Sequence, residues 1–136
     1  MSQHPFAVQG IDHIVLRVRD RSRSLAFYCE VLGCQLEREE TDLGLIQLRA
    51  GCALIDLVTL DGPLGAGPPP GSGRNLEHFC LTLAPFDEAA LISWLAARGI
   101  TAHAPASRYG ADGEGRSFYI DDPDGNHVEL KGAQPG

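Results

Sequence analysis

An internal repeat constrains this chain more than any other feature. Asp12-His13 opens one alternating apolar run, and Glu77-His78 opens another 65 residues later. Gly33 and Gly99 close the helical patterns that follow, 66 residues apart. Ile55-Asp56-Leu57 and Val128-Glu129-Leu130 then recur in the last apolar run of each half, 73 residues apart. Self-similarity of this kind marks one supersecondary unit used twice.

Each unit reads β-α-β-β-β. Residues 11–18 alternate, with Ile14, Leu16 and Val18 on one face and His13, Val15 and Arg17 on the other. Asp20 offers an N-cap, and Leu25, Tyr28, Cys29 and Leu32 follow at helical spacing until Gly33. Strand-like runs come next around residues 35–38, 43–49 and 53–60. Residues 1–9 read as a loose lead-in, and residues 61–75 as a Pro/Gly connector without periodic apolar pattern. The order then begins again. Residues 76–83 alternate, and a helix is predicted over about 87–98, with Leu91, Trp94 and Leu95 inward and Gly99 as its stop. Strands follow around 101–104, 117–120 and 127–131. The longer spacing of the second half is assigned to a Gly-rich loop over 109–115, and Asp122-Pro123-Asp124-Gly125-Asn126 to a tight turn.

At 136 residues the chain is expected to form one domain, with module one over about 10–60 and module two over about 76–132. Its net charge of −7 argues against nucleic acid and anionic membrane as partners. No apolar run reaches membrane-spanning length, and Met-Ser-Gln-His-Pro lacks the basic start and apolar middle of a signal peptide. Cys29, Cys34, Cys52 and Cys80 show no Cys-x-x-Cys spacing, so free buried thiols and a cytoplasmic location are expected.

The strand phases decide where the reactive side chains face. Ile14, Leu16 and Val18, Ile55 and Leu57, Phe79, Leu81 and Leu83, and Val128 and Leu130 belong under the helices. His13, Asp56, His78 and Glu129 take the opposite face. If each unit's strands curve with the helix outside, that face lines a concave interior where two imidazoles and two carboxylates converge. Such a donor set suits a divalent transition metal. A single histidine on a strand is most often an ordinary surface or core residue; two histidines and two carboxylates at repeat-related places are not so easily dismissed. Ser117 and Tyr119 share a strand face and could line the cavity. His127, beside the turn, reads as exposed, Cys80 as a small buried thiol, and His4 and His103 have no supporting context.

These residues resemble a known family. The runs Asp12-His13-Ile14-Val15-Leu16-Arg17-Val18, Arg23-Ser24-Leu25-Ala26-Phe27-Tyr28 leading to Val31-Leu32-Gly33, and Asp122-Pro123-Asp124-Gly125-Asn126 leading to Val128-Glu129-Leu130 are similar to those of the vicinal oxygen chelate superfamily. That superfamily includes glyoxalase I, extradiol dioxygenases, fosfomycin-resistance enzymes and bleomycin-binding proteins. The stretch from Arg108 to Tyr119 looks most like its small glyoxalase-like members, some of them labelled virulence proteins. The resemblance implies an α+β fold in which two β-α-β-β-β modules form a curved mixed eight-stranded sheet around a cavity. It also implies a homodimer, with each site built either within one chain or from modules of two chains.

Carried over residue by residue, the glyoxalase I pattern makes His13, Asp56, His78 and Glu129 metal ligands for Ni, Zn, Mn, Co or Fe. The metal would stabilise the enediolate of a small α-oxygenated substrate, with Glu129 as the base and Asp56 opposite it. Arg17 matches an arginine that holds glutathione, whereas Leu60 stands where those enzymes often carry an asparagine for the same ligand. Asp56 is one methylene shorter than the usual Glu. Tyr119 would contact substrate. The extradiol pattern needs only His13, His78 and Glu129, as the facial triad of non-haem Fe(II). Fosfomycin enzymes share those three and a tyrosine at Tyr119, but Val15 replaces their threonine and Tyr109 their lysine. A metal-free protein that sequesters a small molecule is the reading outside catalysis.

Overall fold

The computed structural model describes residues 5, 9–68 and 76–133, so the expected lead-in and the end of the connector lie largely outside the described residues. The chain divides between Gly67 and Pro68 into two compact units. The first carries β1 (His13–Val18), α1 (Arg21–Leu25, continuing as π-helical Ala26–Val31), β2 (Gln35–Glu40), β3 (Leu45–Ala50) and β4 (Ala53–Thr59). The second carries β5 (Phe79–Leu83), α2 (Glu88–Ala96), β6 (His103–Gly110), β7 (Gly113–Asp121) and β8 (His127–Gly132). The eight expected strands form two four-stranded mixed sheets, ordered β1-β4-β3-β2 and β5-β8-β7-β6. In each, the first strand runs parallel to the last, and the other neighbours are antiparallel. This is an α+β fold built on one topology used twice.

Alternation along the strands sets each core. In the first unit Leu16, Val18, Ile46, Leu48, Ile55 and Leu57 are buried, together with Phe27 and Tyr28 of the helical segment. In the second, Phe118, Ile120, Val128, Leu130 and Leu95 are buried. Each such aliphatic or aromatic side chain contributes about 1.5–3 kcal/mol by leaving water. Phe86 stacks at 5.9 Å on Phe118 and lies over Gly132, where an added Cβ would stand only 2.9 Å from its ring.

The helix signals hold, with one change of geometry. The Asp20 carboxylate accepts from the Arg23 amide at 3.0 Å, and that of Asp87 from the Ala90 amide at 3.1 Å. Gly33 and Gly99 follow the two helices with φ of +84° and +76°, the left-handed conformation that glycine adopts without a Cβ penalty. The first helix does not stay α throughout: from Ala26 it widens into a π-helical turn.

Two further expectations are corrected. Trp94 does not face inward; it is 45 % exposed and lies under the Arg98 guanidinium, while Leu95 takes the buried position of α2. Residues 109–115 are no loop. β6 and β7 run on to pair Gly110 with Gly113, so this stretch is the tip of a hairpin. The aspartate-rich turn forms as predicted: the Asp122 carboxylate accepts from the amides of Asp124 and Asn126 at 2.9 and 2.8 Å and from the Asn126 side chain at 2.8 Å. It delivers β8, and Glu129 with it, in fixed register beside β7.

Candidate functional site

In the second unit the strand register gathers the site. Cys80, Glu129 and Tyr119 stand side by side on β5, β8 and β7, and His103 of β6 lies opposite Tyr119. Residues paired across a ladder share a face, so this row lies on the side away from Phe118, Val128 and Leu130. Glu129 is only 6 % exposed. Its Oε1 lies 3.1 Å from His78 Nε2, and the other ring nitrogen, Nδ1, donates to Glu77 Oε1 at 2.9 Å. The His78 ring meets Tyr119 edge-on at 5.2 Å. Burial and the nearby Glu129 charge raise the Tyr119 phenol above its ordinary pKa, against a smaller opposing effect of Arg108. A cavity of about 240 Å³ beside this row is lined by Glu77, His103, Tyr119 and His127.

The first unit repeats the plan with different contacts. Val15, Asp56, Gln47 and Arg38 form the matching row across β1, β4, β3 and β2. His13 Nδ1 donates to Asp12 Oδ2 at 2.7 Å, the counterpart of Glu77 and His78, and this hydrogen bond raises the His13 pKa. Asp56 is 5 % exposed, but its partner is an amide: Gln47 Nε2 lies 3.3 and 3.2 Å from its two oxygens. Arg38 fixes that amide by donating to Gln47 Oε1 at 2.7 Å, and it also donates to Glu40 at 2.5 Å. An arginine can only donate, so the Gln47 oxygen must face it, and the NH₂ must face Asp56. Arg17 donates to the carbonyls of Gly65 and Gly67, at 2.9 and 3.2 Å, where the connector begins.

Of the residues predicted from sequence, then, the second unit brings His78, Glu129 and Tyr119 together. The first places His13 and Asp56 on one face without an ion pair between them. Among the described residues no three His, Cys, Asp or Glu side chains are gathered as a metal-holding group. The four cysteines are free as expected, but none is fully buried: Cys29 and Cys34 are half-buried, and Cys52 and Cys80 are exposed. His127 is paired with Asp121 across the mouth of the turn. Gln47, Arg38, His103, Arg108 and Lys131 were not singled out from sequence. Each is in phase with a recognised site residue once the register is known, and that phase is the signal that could have found them.

The second-unit pair fits a cation. Oε1 and Nε2 at 3.1 Å share either a proton or a cation, and ligands about 2.0–2.2 Å from a divalent metal stand roughly 3 Å apart. A carboxylate on the far ring nitrogen, present on both His78 and His13, is the usual second partner of a metal-bound imidazole because it fixes the tautomer and leaves Nε2 as the ligand.

A duplicated β-α-β-β-β unit with one imidazole at the start of its first strand and one carboxylate on its last defines a distinct class of α+β protein. The chain belongs to the glyoxalase/bleomycin resistance protein/dioxygenase superfamily, whose family model matches residues 10–130. It is 35 % identical over 128 residues to virulence protein STM3117 of Salmonella typhimurium, covering 90 % of this chain and 83 % of that protein. The crystal structure of that protein aligns with a TM-score of 0.74 at 30 % identity, over 95 % of this chain and 100 % of the other. Glutathione transferase FosA of Serratia marcescens is 32 % identical over 124 residues, covering 90 % of this chain and 80 % of that enzyme. Catechol-2,3-dioxygenase of Bacillus subtilis is 30 % identical over 125 residues, 92 % of this chain but 42 % of that enzyme, so this chain spans less than half its length. No helix among the described residues is long and apolar enough to cross a membrane.

Proposed function

We propose that this protein is a divalent-metal-dependent lyase or isomerase of the glyoxalase type, acting on a small α-oxygenated substrate with Glu129 as its base. The observation that carries the reading is the His78–Glu129 pair: a buried carboxylate 3.1 Å from an imidazole nitrogen whose opposite side is already tied to Glu77. His78 and Glu129 would hold the metal together with His13 and Asp56, supplied by the first unit of the same chain or of a second chain in a homodimer. When bound, a divalent cation supplies Lewis-acid charge for the vicinal oxygens of the substrate.

The chain's own residues account for the rest. Glu129 has a second carboxylate oxygen with which to take a proton from the carbon beside those oxygens and return it to the neighbouring carbon. Tyr119, in register with Glu129, offers a hydroxyl to orient the substrate. Asp56, braced by Gln47, keeps a fixed negative charge on the matching row. Glutathione is the weaker part of the reading. Arg17, its expected carboxylate holder, is engaged with the carbonyls of Gly65 and Gly67.

A second reading, an Fe(II) ring-cleaving dioxygenase, draws on the 30 % identity to the Bacillus catechol dioxygenase. Elemental analysis of protein purified without chelator or affinity tag, with H78A beside it, separates the two. About one Ni, Zn, Mn or Co per chain, lost in H78A, is the expected result. Iron retained only under anaerobic handling transfers the assignment to ring cleavage. No metal in either protein, and none on titration, refutes both and leaves small-molecule sequestration.

A further inference from the structure

The second sheet carries a cation whose placement no opposite charge explains. Arg21, Arg38, Arg49 and Arg116 are each matched to a glutamate. Arg108, half-buried on β6, has no carboxylate partner among the described residues. Its hydrogen bonds all end on neutral oxygens: the Ser117 carbonyl at 3.0 Å, Ser117 Oγ at 2.9 Å and the Ala104 carbonyl at 2.5 Å. What the guanidinium does meet is a ring. Its central carbon lies over the face of Tyr119, 4.7 Å from the ring centre.

The backbone sends it there. In the ladder Arg108 stands opposite Gly115, four residues of β7 before Tyr119, a span of about 13 Å. Its side chain therefore runs along β7 past Ser117 to reach the ring. Between the His103–Tyr119 and Ala106–Ser117 pairs β6 has one residue more than β7, so Ala104 and Pro105 together face Phe118 as a bulge. Proline has no N–H to give to a ladder, which suits this unpaired place. Ala104 takes φ of +50°, the one left-handed conformation of a non-glycine residue among the described residues. A residue with a Cβ is disfavoured in that region. It is held there where its carbonyl receives the second arm of Arg108.

Tyr119 is thereby fixed from two sides. Arg108 covers its face, and the His78 ring meets it edge-on at 5.2 Å, with 89° between the planes. Nε2 of the same imidazole lies 3.1 Å from Glu129, and Tyr119 is paired with Glu129 in the ladder. On the premise, taken from the reading above, that the Tyr119 hydroxyl orients the substrate, we propose that Arg108 is a positioning residue acting through that tyrosine. The guanidinium pins the ring on the cavity wall beside Glu129 and does not touch the substrate itself. A planar guanidinium stacks on the ring while both of its arms stay bonded; the compact ammonium of a lysine cannot do both.

The test joins tyrosine ring signals to kinetics, on the full chain. There are three tyrosines, so ring-labelled protein gives three sets of NMR signals, and Y119F identifies the set of interest. R108M moves the Tyr119 signals toward those of exposed Tyr109, while buried Tyr28 of the first unit stays unchanged as the control for folding. R108K moves them likewise, because charge alone does not grip three oxygens. At saturating metal, with the thiol adduct of methylglyoxal, R108M lowers kcat/KM about ten- to a hundredfold and leaves metal content unaltered. In a Y119F background the same substitution costs nothing further, whereas a merely structural loss is repeated there. Unmoved Tyr119 signals in R108M, wild-type behaviour of R108K, or an equal kinetic loss with and without the phenol hydroxyl overturns the proposal. Absence of turnover by wild type removes the lyase reading instead, and the clamp on Tyr119 then stands or falls on the ring signals.

Discussion

The two units solve the same problem differently. Val15, Asp56, Gln47 and Arg38 in the first sheet correspond to Cys80, Glu129, Tyr119 and His103 in the second, strand for strand. Both buried carboxylates stand at the centre of the row. Glu129 is reached by the imidazole of its own unit, whereas Asp56 is held from the opposite side by an amide that an arginine keeps in place. The shorter acid is anchored to the scaffold; the longer one keeps an oxygen and a flexible methylene for chemistry. Duplication of a fold therefore does not imply duplication of a role: under the proposed function, one half holds charge still and the other moves a proton.

The largest expected effect tests that division directly. With the adduct of methylglyoxal and a thiol as substrate, E129Q should lower kcat by about 10²–10⁴-fold, the usual worth of a positioned general base, while metal is partly retained. D56N should cost less, and chiefly through metal content. Assay of both variants at saturating metal decides the point. Equal losses in kcat would abolish the asymmetry, and full turnover by E129Q would remove the proton-transfer role altogether.

A smaller effect is expected one step back from the carboxylates. Q47L leaves Asp56 without its amide, and a lost second partner typically weakens metal affinity by about 10–100-fold. At saturating metal its kcat should return to the wild-type value. Y119F, at the matching position, should do the reverse, altering KM and kcat while metal affinity stays unchanged. Competition for metal against a fluorescent chelator, alongside steady-state kinetics, reads both. A Q47L variant with normal affinity and reduced kcat would assign Asp56 a part in the reaction itself.

What was legible in the sequence follows from which physics is local. Period-two alternation placed Ile14, Leu16 and Val18 opposite His13, and Val128 and Leu130 opposite Glu129, because neighbouring side chains on a strand must point apart. The cap at Asp20, the start of the second helix near Asp87 and the glycines at 33 and 99 were readable for the same reason. Register was not. Nothing near Gln47 announces that it will stand beside Asp56, and irregularities between Leu36 and Arg38 and between His103 and Ala106 shift phases that alternation alone would misassign. The hairpin at 109–115 was missed because its glycines read as loop, when Gly110 accommodates the stem of Lys131 and Gly113 takes a positive φ at the tip. Trp94 was misplaced because helical spacing marks a face without saying that an arginine one turn on will cover it.

The smallest expected difference between the units is their response to acid. Arg49 holds Glu37, and Arg21 holds Glu39, below the ordinary carboxylate range in the first unit; Arg116 does the same for Glu88 in the second. A carboxylate whose folded pKa is depressed stabilises the fold above its unfolded value of about 4.3, and that contribution is lost as the pH falls through the lower folded value. Two such pairs brace β2 against its neighbours in the first unit, against one joining α2 to β7 in the second. Between pH 5 and 3 the first sheet should therefore loosen first, by a modest margin because exposed pairs are weak and screened by salt. Amide exchange corrected for intrinsic rate would show β2 and β3 losing protection ahead of β6 and β7. The E37Q/E39Q variant should flatten the pH dependence of the first unit alone, and equal loss of protection in both sheets would mean that these pairs carry no measurable share of the difference.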